Sequence, residues 1–108
     1  SRSALDQAEA IAAVDGVDGI FFGPADLSAD LGYGGNPAAP EVWEAILPVA
    51  QSLIAKSVPV GSLTLELEWA KALLAQGFTF VACGMDNALL ARAADALLAD
   101  LREHLAGV

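Results

Sequence analysis

A chain of 108 residues that is 56% hydrophobic and only 18% charged is long enough for one ordinary domain and too apolar for a disordered one. Fourteen acidic against five basic side chains give a net charge of -9, which excludes neutralising a row of phosphates or docking on an anionic membrane, so neither nucleic acid nor membrane is an expected partner. The longest apolar stretches are interrupted at Gln51, Lys56 and Pro59, short of the roughly 20 residues a membrane helix needs.

In chain order, Ser3 and Asp6 resemble a capping box, and Leu5, Ala8, Ile11 and Ala12 recur at helical spacing, which predicts a helix over residues 3–13. Asp15-Gly16 and Asp18-Gly19 carry turn chemistry. The Asp15-x-x-Asp18 pattern lacks the alternating acids and terminal Glu of a calcium loop. Gly19 to Gly23 is then a short continuous apolar run of the buried-strand kind.

The run Gly23-Pro24-Ala25-Asp26-Leu27-Ser28 follows that strand directly and places a carboxylate at its end. In parallel α/β architectures the carboxyl ends of the strands face the active site, so Asp26 is a candidate ligand. The competing reading is that Asp26 only caps a helical turn starting at Leu27. Backbone N–H groups at Ala25 and Asp26 would open that turn and favour an anion. Gly32 to Pro40 reads as a loop at the rim of a pocket. Its glycines are not followed by the Lys-Ser or Lys-Thr of a phosphate loop.

Pro40 suits a first helical position, and Val42, Ala45, Ile46, Val49, Leu53 and Ile54 predict a helix over 41–56, with Pro48 expected to kink or break it. Residues 58–65 read as a strand, with Leu63 near its end beside the weaker candidates Ser62 and Thr64. Leu67 to Gln76 reads as a helix stopped by Gly77, and Phe78 to Cys83 as a buried strand that makes Cys83 a core residue. Asp86 is expected to cap a long last helix with an apolar stripe of Leu90, Ala94, Leu97, Leu101 and Leu105.

Three such strands cannot close a barrel, so the chain is either a small open α/β domain or part of a β/α barrel. The chain opens on Ser1 and has a single Cys83, which leads to the expectation of a fragment or processed product in a reducing cytoplasm. Neither Lys56 nor Lys71 stands at a strand end, where a desolvated lysine could form a Schiff base.

The segments Val14-Asp15-Gly16-Val17-Asp18-Gly19-Ile20-Phe21, Gly23 to Ser28, Leu31-Gly32-Tyr33 with Asn36, Pro40-Glu41-Val42, and Phe80-Val81-Ala82 with Gly84 and Asp86, taken in order, resemble the HpcH/HpaI aldolases. The resemblance covers the whole chain. It implies a fold class of α/β, with residues 1–108 as the carboxy-terminal part of a TIM-type barrel, about strands six to eight with flanking helices.

It also implies aldol cleavage of 4-hydroxy-2-oxo acids to pyruvate and an aldehyde, dependent on a divalent cation (Mg²⁺, Mn²⁺ or Co²⁺). Asp26 would be the metal ligand, Ala25 and Asp26 would hold the substrate carboxylate, and Leu63 would lie over the bound oxo acid. The second metal carboxylate, a Glu, would stand immediately before Ser1. The catalytic His and substrate-binding Arg would also lie upstream, so no catalytic residue is expected in this chain and it is expected to be inactive alone. His104 does not match the catalytic histidine. Partners implied are the small-molecule 2-oxo acid and aldehyde, and further copies of the chain joined through the terminal helix. Two alternatives are an acyl-coenzyme A ester lyase on the same barrel, and a catalytically silent barrel fragment used for binding or oligomerisation.

Overall fold

The computed structural model describes residues 1–107. The element order is α1 (Arg2–Asp6), α2 (Ala8–Ala12), β1 (Ile20–Phe22), α3 (Pro24–Asp30), α4 (Pro40–Ala55), β2 (Val60–Thr64), α5 (Leu67–Ala75), β3 (Phe80–Cys83) and α6 (Asp86–Ala106). The three strands form one parallel sheet in the order β1-β2-β3. Parallel neighbours need crossover segments, and here helices supply them, as in an arc of a β/α barrel.

The ladder register explains which residues face which way. Phe21 pairs with Gly61, and Gly61 with Phe80, so these three share one face of the sheet with Leu63 and Ala82 two residues on. The Phe21 and Phe80 rings stack at 6.0 Å across the glycine between them. Phe22, Val60 and Ser62 point to the opposite face, where α4 and α5 cover them. That covered face is the core: Val42, Ile46, Leu53, Val60 and Leu73 are fully buried, each contributing roughly 1.5–3 kcal/mol of transfer free energy.

The other face is open, with Phe21 51% and Phe80 42% exposed. In this respect the sheet differs from the expectation for its third strand. β3 spans only Phe80–Cys83, lies at the sheet edge and is mostly exposed, so Cys83 is an exposed free thiol and not a core residue. Its apolar sequence matches a buried strand, but among the described residues no strand pairs with its outer edge.

Three further expectations are corrected. The helix expected over residues 3–13 is two short helices joined at Gln7, and its cap is Ser1, whose hydroxyl accepts from the Ala4 N–H at 3.2 Å. α4 continues through Pro48, so the break expected there does not occur. Pro48 and Glu44 are both exposed residues, and Pro48 leaves the Glu44 carbonyl without its intrahelical donor. α6 starts at Asp86 with Met85, not Asp86, as N-cap.

The molecule is elongated, with a radius of gyration of 17.6 Å against about 13 Å for a compact domain of this length. α6 is the cause: none of its 21 residues is buried, and Leu89, Leu90, Leu97, Leu98, Leu101 and Leu105 are 45–73% exposed. None of the helices is long and apolar enough to cross a membrane among the described residues.

Candidate functional site

In a β/α unit each helix begins where the preceding strand ends, so the first turns of α3, α4 and α5 gather at the carboxyl edge of the sheet. There they line a cavity of about 910 Å³, walled by Phe21, Leu47, Leu63, Leu65 and Trp69 among others. The three residues singled out in the sequence, Ala25, Asp26 and Leu63, all line this cavity.

Asp26 stands in the first turn of α3. The helix starts earlier than expected, at Pro24 with Gly23 as N-cap, because proline suits the first helical position and has no N–H to lose there. Asp26 is therefore the third residue of the helix and not its cap, which removes the reading of this side chain as an N-cap at Leu27. Ala25 and Asp26 carry main-chain N–H groups in the first turn, where helical geometry leaves donors without an intrahelical acceptor. Both residues are exposed to the cavity. The Asp26 carboxylate folds back toward Gly23, its Oδ2 lying 3.7 Å from where a Cβ on that glycine would be.

The end of β1 is held in place by β2. Ser62, fully buried, donates its hydroxyl to the Phe22 carbonyl oxygen at 2.8 Å, one residue before Gly23. Leu63, next in β2, turns to the open face and is half-buried over the cavity. Of the weaker candidates, Thr64 lines the cavity and Ser62 does not.

The loop after α3 contributes Asn36, Pro37 and Ala38 to the rim. It is tied down by the Trp43 indole N–H, which donates to the Pro37 carbonyl at 2.8 Å. On the other rim, Arg92 of α6 donates to the Leu65 carbonyl and to the Glu66 carboxylate, both at 2.9 Å. The N-cap of α6, Met85, also lines the cavity, and the Gly84 N–H donates to the Thr64 carbonyl at 3.0 Å.

Sequence reasoning missed Trp69, which meets Trp43 edge-on with ring centroids 5.2 Å apart. The signal was positional. Trp43 is the fourth residue of α4 and Trp69 the third of α5, so both sit in first turns at the sheet's carboxyl edge. His104 lies in the last turn of α6 and does not line the cavity. Lys56 and Lys71 pair with Glu9 and Glu68 at the surface, and neither reaches it.

The donor set fits a hard divalent cation held by one carboxylate from this chain. Such ions take oxygen ligands and commonly use one or two carboxylates, with waters and substrate oxygens completing the shell. No group of three or more His, Cys, Asp or Glu side chains is clustered for metal binding among the described residues.

A parallel β/α unit with an acidic residue in the helical turn after a strand, opening on a largely apolar cavity, defines the class: a β/α protein with a strand-end site. The chain belongs to the HpcH/HpaI aldolase/citrate lyase family, whose model matches residues 1–93. It is 48% identical over 102 residues to a hydroxypyruvate/pyruvate aldolase of Cupriavidus necator, covering 94% of this chain and 38% of that protein. It is 51% identical over 96 residues to a 4-hydroxy-2-oxovalerate aldolase of Rhodococcus jostii, covering 89% and 37% respectively. A crystal structure of an HpcH/HpaI aldolase/citrate lyase family protein from Burkholderia cenocepacia superposes with a TM-score of 0.80 at 34% identity, covering 91% of this chain and 38% of that one. The chain thus spans less than two fifths of the length of the relatives it matches.

Proposed function

We propose that residues 1–108 form the carboxy-terminal part, about strands six to eight, of a β/α-barrel enzyme that cleaves 4-hydroxy-2-oxo acids to pyruvate and an aldehyde with a divalent cation. The observation that carries this reading is the meeting of Ala25, Asp26 and Leu63 in one cavity at the carboxyl edge of the sheet. The aldolase names of the relatives at 48–51% identity support it.

Asp26 would hold the cation, Mg²⁺, Mn²⁺ or Co²⁺, together with a second carboxylate from the rest of the barrel. A bound cation would supply Lewis-acid polarisation of the 2-oxo group. The N–H groups of Ala25 and Asp26 bind and orient the substrate carboxylate, helped by the positive end of the helix dipole. Leu63 excludes water above the oxo acid and strengthens these electrostatic interactions by lowering the local dielectric. In cleavage the C4 hydroxyl gives up its proton, the C3–C4 bond breaks, and the aldehyde leaves. The electron pair passes into pyruvate enolate, which is then protonated at C3. The base for the hydroxyl proton belongs to the part of the barrel outside this chain.

Two further parts of the reading are proposals of the same kind. The uncovered leucine face of α6 joins copies of the protein into a homo-oligomer, and the enzyme works in the cytoplasm on small soluble substrates. The decisive experiment measures pyruvate release from a 4-hydroxy-2-oxo acid by the complete barrel that contains this chain, with and without a chelator. Release that stops on chelation and returns with Mg²⁺ or Mn²⁺ is expected. Absence of release under all metals would refute the proposal.

A further inference from the structure

We infer that Arg92 is a positioning residue for substrate binding, acting through Leu65 and Glu66 to hold the rim of the cavity in place; this rests on the aldolase reading of the site. The segment Thr64-Leu65-Glu66 joins the end of β2 to the start of α5, and all three residues line the cavity. Arg92, in the second turn of α6, holds it with two nitrogens of one guanidinium. Its Nη1 donates to the Leu65 carbonyl oxygen and its Nη2 to a Glu66 carboxylate oxygen, each at 2.9 Å. Glu66 is the N-cap residue of α5, yet its side chain makes no capping bond and turns to Arg92 instead.

The side chains of this ion pair are 55% and 66% exposed, and such a pair adds little to stability. What it supplies is orientation. A planar guanidinium bonded to two successive residues fixes the carbonyl of one and the side chain of the other, which a lysine's point charge cannot do. The Gly84 N–H, just before α6, donates to the Thr64 carbonyl at 3.0 Å, so the entry to α6 and α6 itself hold three successive rim residues. Leu63 directly precedes them in β2, and its place over the cavity depends on theirs. None of these bonds reaches α3, where Asp26 stands. Arg92 therefore bears on how the substrate fits against the β2 wall and not on the carboxylate proposed to hold the cation. Contacts made equally in the ground and transition states lower KM without raising kcat, so their loss is read in KM.

The test uses the complete barrel that contains this chain, supplied with Mg²⁺ or Mn²⁺, and follows pyruvate release from a 4-hydroxy-2-oxo acid. Arg92→Met is expected to raise KM by about fivefold while kcat stays within about twofold, with metal affinity by titration and melting temperature nearly unchanged. Arg92→Lys keeps the charge but not the two-point hold, and is expected to recover only part of the loss. In a Glu66→Gln background the effect of Arg92→Met on KM is expected to shrink, because the two residues act together. An active parent whose KM is the same in Arg92→Met overturns the inference and leaves the aldolase reading standing. So does a joint fall in kcat, metal affinity and melting temperature, which would mark Arg92 as structural. Full recovery in Arg92→Lys, or additive effects with Glu66→Gln, overturns the two-point hold. A parent that releases no pyruvate overturns the aldolase reading itself, and the inference with it.

Discussion

The hydroxyl of Ser62 donates to the main-chain carbonyl oxygen of Phe22 at 2.8 Å, a bond between neighbouring parallel strands made by a fully buried side chain. It fixes the end of β1 one residue before the turn that carries Ala25 and Asp26. A buried hydroxyl without a partner would be costly, and the carbonyl it serves would lose a donor if the hydroxyl were removed.

Ser62→Ala is therefore expected to destabilise the chain by about 1 kcal/mol, read as a lower denaturant midpoint at unchanged slope. Ser62→Val adds volume at a fully buried position and is expected to cost more. Equal stability of Ser62→Ala and the parent chain would show that the bond contributes nothing.

Asp26→Ala and Asp26→Asn separate the two roles that sequence reading left open. In the proposed role as metal ligand a neutral side chain could not replace Asp26, so activity of the complete barrel is expected to fall by about 100-fold or more, with weaker metal affinity measured by titration. Because the helix cap is Gly23 and not Asp26, melting temperature is expected to change little in either variant. A large loss of stability with metal affinity intact would contradict the ligand role.

The strand-end acid, the parallel strand order and the helix after each strand were legible because they rest on local chemistry: turn residues, proline at a first helical position, and apolar runs bounded by Gly. The same local reading failed at Cys83, and it found the leucine stripe of α6 without saying what covers it. An apolar strand or stripe shows that something must cover it, but not whether the cover lies in the same chain. Trp69 was hidden for a related reason, since its place at the cavity depends on how α4 and α5 pack and not on any motif. The break at Gln7 between α1 and α2 has no signal in residue spacing, for Leu5, Ala8 and Ile11 keep helical period across it.

Glu9 of α2 accepts from Lys56 Nζ at 2.8 Å and from the Ser52 hydroxyl, joining α2 to the carboxyl end of α4. The hydrogen bond from Lys56, then that from Ser52, then the charge of Lys56, hold the Glu9 carboxyl below its ordinary value of 4.5. A carboxylate depressed in the folded state stabilises it above the unfolded pKa, and that contribution disappears as pH falls through the folded pKa. The parent chain is expected to lose part of its stability as pH drops below 4.5, and Glu9→Gln to lose less over the same range. The pair is exposed, so added salt is expected to shrink the difference between the two. Parallel pH profiles of the two proteins would remove Glu9 from the acid response.

Gly61 is the second residue of β2, the middle strand, flanked in register by Phe21 and Phe80. A Cβ at this position would overlap both the Phe80 ring and the Phe80 carbonyl oxygen. The ring can turn away, but the carbonyl is fixed by the parallel pairing of β2 and β3, so the strands themselves would have to separate. Gly61→Ala is expected to destabilise the chain by about 1–3 kcal/mol or more, measured by chemical unfolding. The double variant Gly61→Ala, Phe80→Ala tests which overlap dominates. If the ring alone were responsible, removing it would restore the stability of Phe80→Ala; the backbone contact predicts that most of the loss remains. Because Phe21 stacks on Phe80 across this glycine, the same substitution is expected to disturb the cavity wall at Phe21 and weaken substrate binding in the complete barrel.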